Sequence, residues 1–151
     1  MTAAALNRPT RWALALGCGG LLPFVGLAAA VWWLGSADRS RCLFALLAYG
    51  ATILSFLGGI HWGFAMRGAS DSSIRLLLWG VAPSLLAWLA LLLAPEVGLC
   101  WLAAGLWICY GVDRSVYPKF GLAAWLPMRL LLTTVASFSC LAGALGQLFN
   151  A

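Results

Sequence analysis

At 151 residues, with 64% hydrophobic and 9% charged residues and a mean hydropathy of +0.97, the chain lies outside the composition of water-soluble globular domains, and lipid is the solvent for most of its surface. Its net charge of +5 does not mark a nucleic-acid partner, because the nine Lys and Arg residues stand singly between apolar runs, with no aromatic-basic patch or recognition helix. Cys18, Cys42, Cys100, Cys109 and Cys140 form no Cys-x-x-Cys pair and read as small buried hydrophobes; with one histidine in the chain they offer no metal or iron-sulfur site and no disulfide framework.

Arg8, Pro9 and Arg11 precede a first apolar span over residues 13–34, too long for the core of a cleaved secretory signal. Pro23, following Gly17, Gly19 and Gly20, predicts a kink, because its missing N–H leaves the carbonyl four residues back without a donor. Residues 35–41 form a short polar connection, and a second span covers 42–66. Arg67, Gly68, Ser70, Asp71, Ser72 and Ser73 make the next loop, and a third span over 74–93 carries Pro83 as a second kink, with Ser84 placed to bond the backbone it frees. Pro95 and Glu96 mark a turn into a fourth span over 97–117, which ends before Pro118. A moderately apolar connection leads to Pro127, a first-turn proline, and a fifth span over 128–149. The expected fold is an all-α bundle of five transmembrane helices in a single domain, with no soluble part to hold an aqueous active site.

Basic residues orient it. Arg8, Arg11, Arg67, Arg75, Arg114, Lys119 and Arg129 fall on one side and only Arg39 and Arg41 on the other, which places the N-terminus in the cytoplasm and the C-terminus outside. Trp12, Trp62 and Trp125 then mark the inner interface, and Trp32, Trp33 and Trp101 the outer one.

The second span holds the densest small-residue pattern and the only histidine. At about 100 degrees per residue, Ala51, Ser55, Gly59 and Gly63 form one stripe against which another backbone could close, Gly59 and Gly63 being a Gly-x-x-x-Gly pair. Gly50, Leu54, Gly58, His61, Ala65 and Gly68 share a different side, so both faces look occupied and the helix reads as central. His61 lies six residues before Arg67, about 9 Å inside the inner boundary. Two readings stand open: a neutral imidazole that fixes packing, or a cofactor ligand, quinone-head partner or proton carrier. A six-coordinate haem would need a second axial ligand, which no other histidine supplies.

Tyr49-Gly50-Ala51, Ser55-Phe56-Leu57-Gly58-Gly59-Ile60-His61-Trp62-Gly63, Pro83-Ser84-Leu85-Leu86-Ala87-Trp88 and Ala124-Trp125-Leu126-Pro127-Met128-Arg129-Leu130, with Leu21-Leu22-Pro23-Phe24, resemble the domain of unknown function 3429 family. That family comprises small, transmembrane protein 69-like membrane proteins of proteobacteria and mitochondria. The resemblance implies architecture and location but no reaction, substrate or cofactor, and suggests by analogy work near respiratory membranes. No mitochondrial targeting peptide is evident, so the bacterial inner membrane is the expected location.

Asp113 ends the fourth span and Arg129 begins the fifth on the same side of the membrane, where an arginine fork on a carboxylate would fix how two helices meet. Depth matching joins them to His61, with Arg67 at the edge, as the candidate functional cluster; two independently solvated charges are the alternative. Ala51, Ser55, Gly58, Gly59 and Gly63 are the candidate packing residues. No nucleophile elbow, phosphate loop, paired carboxylates or metal set is present, and no catalytic residue is assigned. The leading expectation is an accessory or assembly subunit, of a respiratory complex by analogy, that binds a membrane-protein partner or another copy of itself. A quinone- or haem-linked redox or lipid-binding protein using His61 is the alternative, and proton or small-solute transport the third.

Overall fold

The computed structural model describes residues 8–67 and 73–149, all of whose regular secondary structure is helical. Five stretches are long and apolar enough to cross a membrane: Arg11–Trp33, Ser36–Arg67, Ile74–Leu91, Pro95–Phe120 and Ala123–Phe149. The loop expected at Gly68, Ser70, Asp71 and Ser72 lies outside the described residues.

Pro23 divides the first span instead of bending it. Helix α1 (Arg11–Gly19) is capped by the Thr10 hydroxyl, which accepts from the Ala13 N–H at 3.1 Å, and stops before α2 (Leu22–Trp33), where Pro23 occupies the first turn. The Tyr49 hydroxyl donates to the Gly20 carbonyl at 2.8 Å, giving the break a partner inside the bundle. The Tyr49 ring meets Phe24 edge-on at 5.1 Å.

The polar connection shrinks to about two residues, since α3 runs from Ser36 to Arg67. Over 32 residues it is about 48 Å long, more than a bilayer core, so its charged first turns extend beyond the apolar region. Arg39 in that extension donates from Nε to the Val31 carbonyl and from Nη2 to the Leu34 carbonyl, both at 3.2 Å, closing the C-terminal end of α2. Helix α4 (Ser73–Leu91) carries Pro83 in its interior, and α5 covers Pro95–Val116. The chain then turns through short 3-10 segments at Tyr117–Phe120 and Ala123–Trp125 into α6 (Leu126–Phe149). Gly121, at φ 72°, closes the first of these in the left-handed region that glycine alone enters without strain.

Helix α3 is the hub, packed against α2, α4, α5 and α6. Leu43, Leu47, Gly50, Leu54, Leu57, His61 and Phe64 follow one another at three- and four-residue steps and are all buried, against Phe24 of α2 and Leu99, Leu102 and Leu106 of α5.

The small-residue stripe does not pack as its spacing suggests. Ala51 is buried and Ser55 half-buried, but Gly59 and Gly63 are exposed, and a Cβ on either would meet nothing within 4 Å. The close crossing belongs to Gly58: a Cβ there would collide with the Gly80 carbonyl of α4 and lie 3.3 Å from the Pro83 ring, while one on Gly80 would run into the Trp62 indole. The reason is the side that α3 must bury. His61 and the large leucines share the Gly58 side, an imidazole exposed to lipid is costly, and the opposite glycines are turned outward.

Ser84 beside Pro83 meets the Ser55 hydroxyl at 2.8 Å across α3 and α4. Three indoles tie neighbouring helices in the same manner, each donating to a carbonyl: Trp32 to Ala142 at 3.0 Å, Trp62 to Leu77 at 3.1 Å and Trp101 to Leu86 at 3.1 Å.

Candidate functional site

The centre of the site is Asp113, one turn before the end of α5 and 1% exposed. A carboxylate cannot remain ionised in an apolar bundle without a partner, and Arg129 of α6 supplies one. The arginine Nε donates to Oδ2 at 2.8 Å and Nη2 makes an ion-pair contact with the same oxygen at 2.7 Å. Arg129 is 8% exposed, and the Tyr117 phenol lies within its reach.

His61 of α3 faces the other carboxylate oxygen. Its Nε2 is 3.5 Å from Oδ1, within electrostatic range but too long for a good hydrogen bond, and its Nδ1 lies 3.4 Å from the Leu57 carbonyl one turn back. With the proton on Nδ1, the ring donates to the Leu57 carbonyl and sets a lone pair against the carboxylate; with the proton on Nε2 it points that N–H at Asp113 Oδ1.

Aromatic rings wall the cluster. Phe64 sits edge-on to His61 at 5.8 Å and to Tyr117 at 5.7 Å and stacks on Phe120 at 4.6 Å, while Trp79 of α4 meets His61 edge-on at 6.4 Å. Cys109, one turn before Asp113, is buried as well. These rings and the 3-10 segment close over the cluster, leaving His61 and Asp113 each 1% exposed.

The structure thus brings His61, Asp113 and Arg129 together from three helices and leaves Arg67 apart, exposed at the end of α3 and in no contact with them among the described residues. Phe64 and Tyr117 join the cluster without being singled out by the sequence, Cys109 is the buried hydrophobe expected there, and Thr133 makes none of the backbone hydrogen bonds usual for a helical hydroxyl. Their signal was spacing: each lies three or four residues from a cluster residue and so on the same helical face. Trp79 carried no such signal, because it sits on α4, which contributes no charge to the cluster.

A cavity of about 300 Å³ opens beside Arg129, between the α1–α2 break, α3, α5 and α6. Leu16, Phe24, Phe56, Leu57 and Leu106 line it, with Arg129 and Thr133 as its polar members. No three of the His, Cys, Asp and Glu side chains gather as a metal would require among the described residues.

Residues 9–145, which include every member of the cluster, match the family described as protein of unknown function, DUF3429. The chain belongs to that family. Transmembrane protein 69 of Xenopus tropicalis is 38% identical over 97% of this chain and 57% of its own length, and transmembrane protein 69 of Mus musculus is 29% identical over 63% of this chain and 40% of its own. The DUF3429 chain therefore spans about half the length of these relatives. No solved structure matches it. It is a multi-pass helical membrane protein, and the His61–Asp113–Arg129 cluster lies within the matched DUF3429 region.

Proposed function

We propose that this protein works by binding other components of the membrane, as an accessory or assembly subunit of a larger complex. The observation that carries this reading is the outward face of α3. Thr52, Phe56, Gly59, Gly63 and Met66, spaced alternately by four and three residues, are all exposed, and Gly59 and Gly63 leave open space where side chains would stand. Phe56 and Met66 flank a recess that a partner's transmembrane helix can enter, with small residues allowing close backbone approach. The buried ion cluster supports it by holding α3, α5 and α6 in fixed relation, so that the face is presented rigidly. The proposed location is a bacterial inner membrane with the N-terminus in the cytoplasm, supported by the seven-to-two distribution of Lys and Arg.

A photoreactive amino acid at Gly59 or Gly63, irradiated in intact membranes, should crosslink one defined membrane protein, another copy of this chain included. The same probe at buried Leu54 should not. Crosslinks to lipid alone from the glycine positions would refute the reading.

A second reading, a redox or lipid-binding protein centred on the buried cluster, draws support from the cavity that reaches Arg129.

A further inference from the structure

We infer that the cavity beside Arg129 is a binding site for a neutral, carbonyl-bearing amphiphile, whose carbonyl oxygen accepts hydrogen bonds from Thr133 and Arg129 and whose apolar remainder lies toward Leu16 and Phe56. The inference rests on the second reading for there being a ligand at this cluster, and needs none of its redox chemistry.

Thr133 is the first observation. Its side chain lines the cavity, the residue is 2% exposed, and its hydroxyl has no hydrogen-bond partner among the described residues. Hydroxyls in helices ordinarily return to their own backbone, as the buried Ser139 does to Val135 at 2.9 Å and the exposed Ser40 and Thr52 do to Ser36 at 3.1 Å and Tyr49 at 2.7 Å. Thr133 makes no such bond, and an orphaned hydroxyl in an apolar interior is costly.

Arg129 is the second. Its Nε donates to Asp113 Oδ2 and the Tyr117 phenol lies within its reach, while Nη2, in ion-pair contact with the same carboxylate oxygen, is buried without a hydrogen-bond partner among the described residues. Arg129 and Thr133 are one turn apart on the same face of α6, and both line the cavity.

Charge balance selects the ligand's head. Asp113 already neutralises Arg129, so a carboxylate or phosphate would bring an uncompensated negative charge into a low-dielectric site, and a cation would face the guanidinium. A neutral carbonyl accepts from both donors without either cost. The walls are otherwise apolar, and Leu16 and Phe56, exposed at 75% and 67%, place the mouth toward lipid. About 300 Å³ lies at the small end of ligand pockets, room for a ring or glycerol-ester head with its tail left in the bilayer. A quinone and a glycerol ester share this chemistry.

The test uses the full-length protein in detergent, with a short-chain ubiquinone and dioctanoylglycerol as separate probes and binding followed by native mass spectrometry. Wild type should bind one of them at one site. Thr133→Val keeps the shape and removes the orphaned hydroxyl, so it should melt no lower than wild type while binding about tenfold more weakly. Leu132→Trp, a half-buried position at the cavity wall, should bind neither probe. Binding of dioctanoylglycerol alone supports the site while removing a quinone-linked redox role. Binding of neither probe by wild type, or equal binding by wild type and both variants, overturns the proposal.

Discussion

Asp113 divides its two oxygens between two helices: Oδ2 holds Arg129 of α6, and Oδ1 faces His61 of α3 at 3.5 Å. One carboxylate thereby joins three of the five spans at a single depth. In a bundle whose walls are no more apolar than the lipid outside, such polar contacts fix which helix lies beside which.

Removing one partner strands the other. Asp113→Ala should destabilise the detergent-solubilised protein by about 3–5 kcal/mol, because it leaves the Arg129 guanidinium buried without its counter-charge. The double variant Asp113→Ala, Arg129→Ala should lose distinctly less than the sum of the single losses. Thermal melting of the four proteins measures the coupling, and additive losses would show that the pair does not act as a unit. Exchanging the two residues should recover part of what either single reversal loses.

His61 contributes less to the frame. Its ring contacts are long, 3.4 Å to Leu57 and 3.5 Å to Asp113, so His61→Leu should cost only about 1–2 kcal/mol in the same melting assay. A loss as large as that of Asp113→Ala would make the imidazole a full member of the ion pair.

Glycines two helical faces apart should respond oppositely. Gly58→Val drives a side chain into the Gly80 carbonyl and should lower stability by about 1–3 kcal/mol or abolish folding. Gly59→Ala and Gly63→Ala meet no neighbour, and should leave the purified protein within about 0.5 kcal/mol of wild type. Their effect belongs instead to partner capture in the membrane, which Gly59→Leu should reduce.

Tyr49→Phe keeps the ring on Phe24 and deletes the hydrogen bond to the Gly20 carbonyl. The expected cost is about 1 kcal/mol, with increased deuterium uptake confined to α1 and the start of α2. Uptake spread evenly through the bundle would mean that the break is held by other contacts.

Topology has its own measurement. A reporter that is active only in the cytoplasm should report when fused to the N-terminus and stay silent at the C-terminus. The reverse pattern would invert the proposed orientation.

Hydropathy and punctuation alone located the five spans, because a membrane admits only segments whose backbone bonds are internal and whose side chains tolerate lipid, a constraint written locally in the chain. Pro23 and Pro127 marked where helices break and begin, although the sequence could not say that Tyr49, far along the chain, would complete the break at Gly20. Depth along each helix was legible too, and it set His61, Asp113 and Arg129 at one level. Which faces meet was not. The Gly59–Gly63 spacing suits a tight crossing as well as Gly58 does, and the choice fell to Gly58 because burying His61 with the large leucines turns α3 only one way. Likewise Thr133 lies one turn from Arg129 in any helix, but that its hydroxyl ends in an apolar cavity depends on how α1, α3, α5 and α6 enclose that space. Spans and depths follow from each segment's own exchange between water and lipid. Neighbours and cavities follow from how all the segments compete for the same contacts, and only the folded bundle decides that.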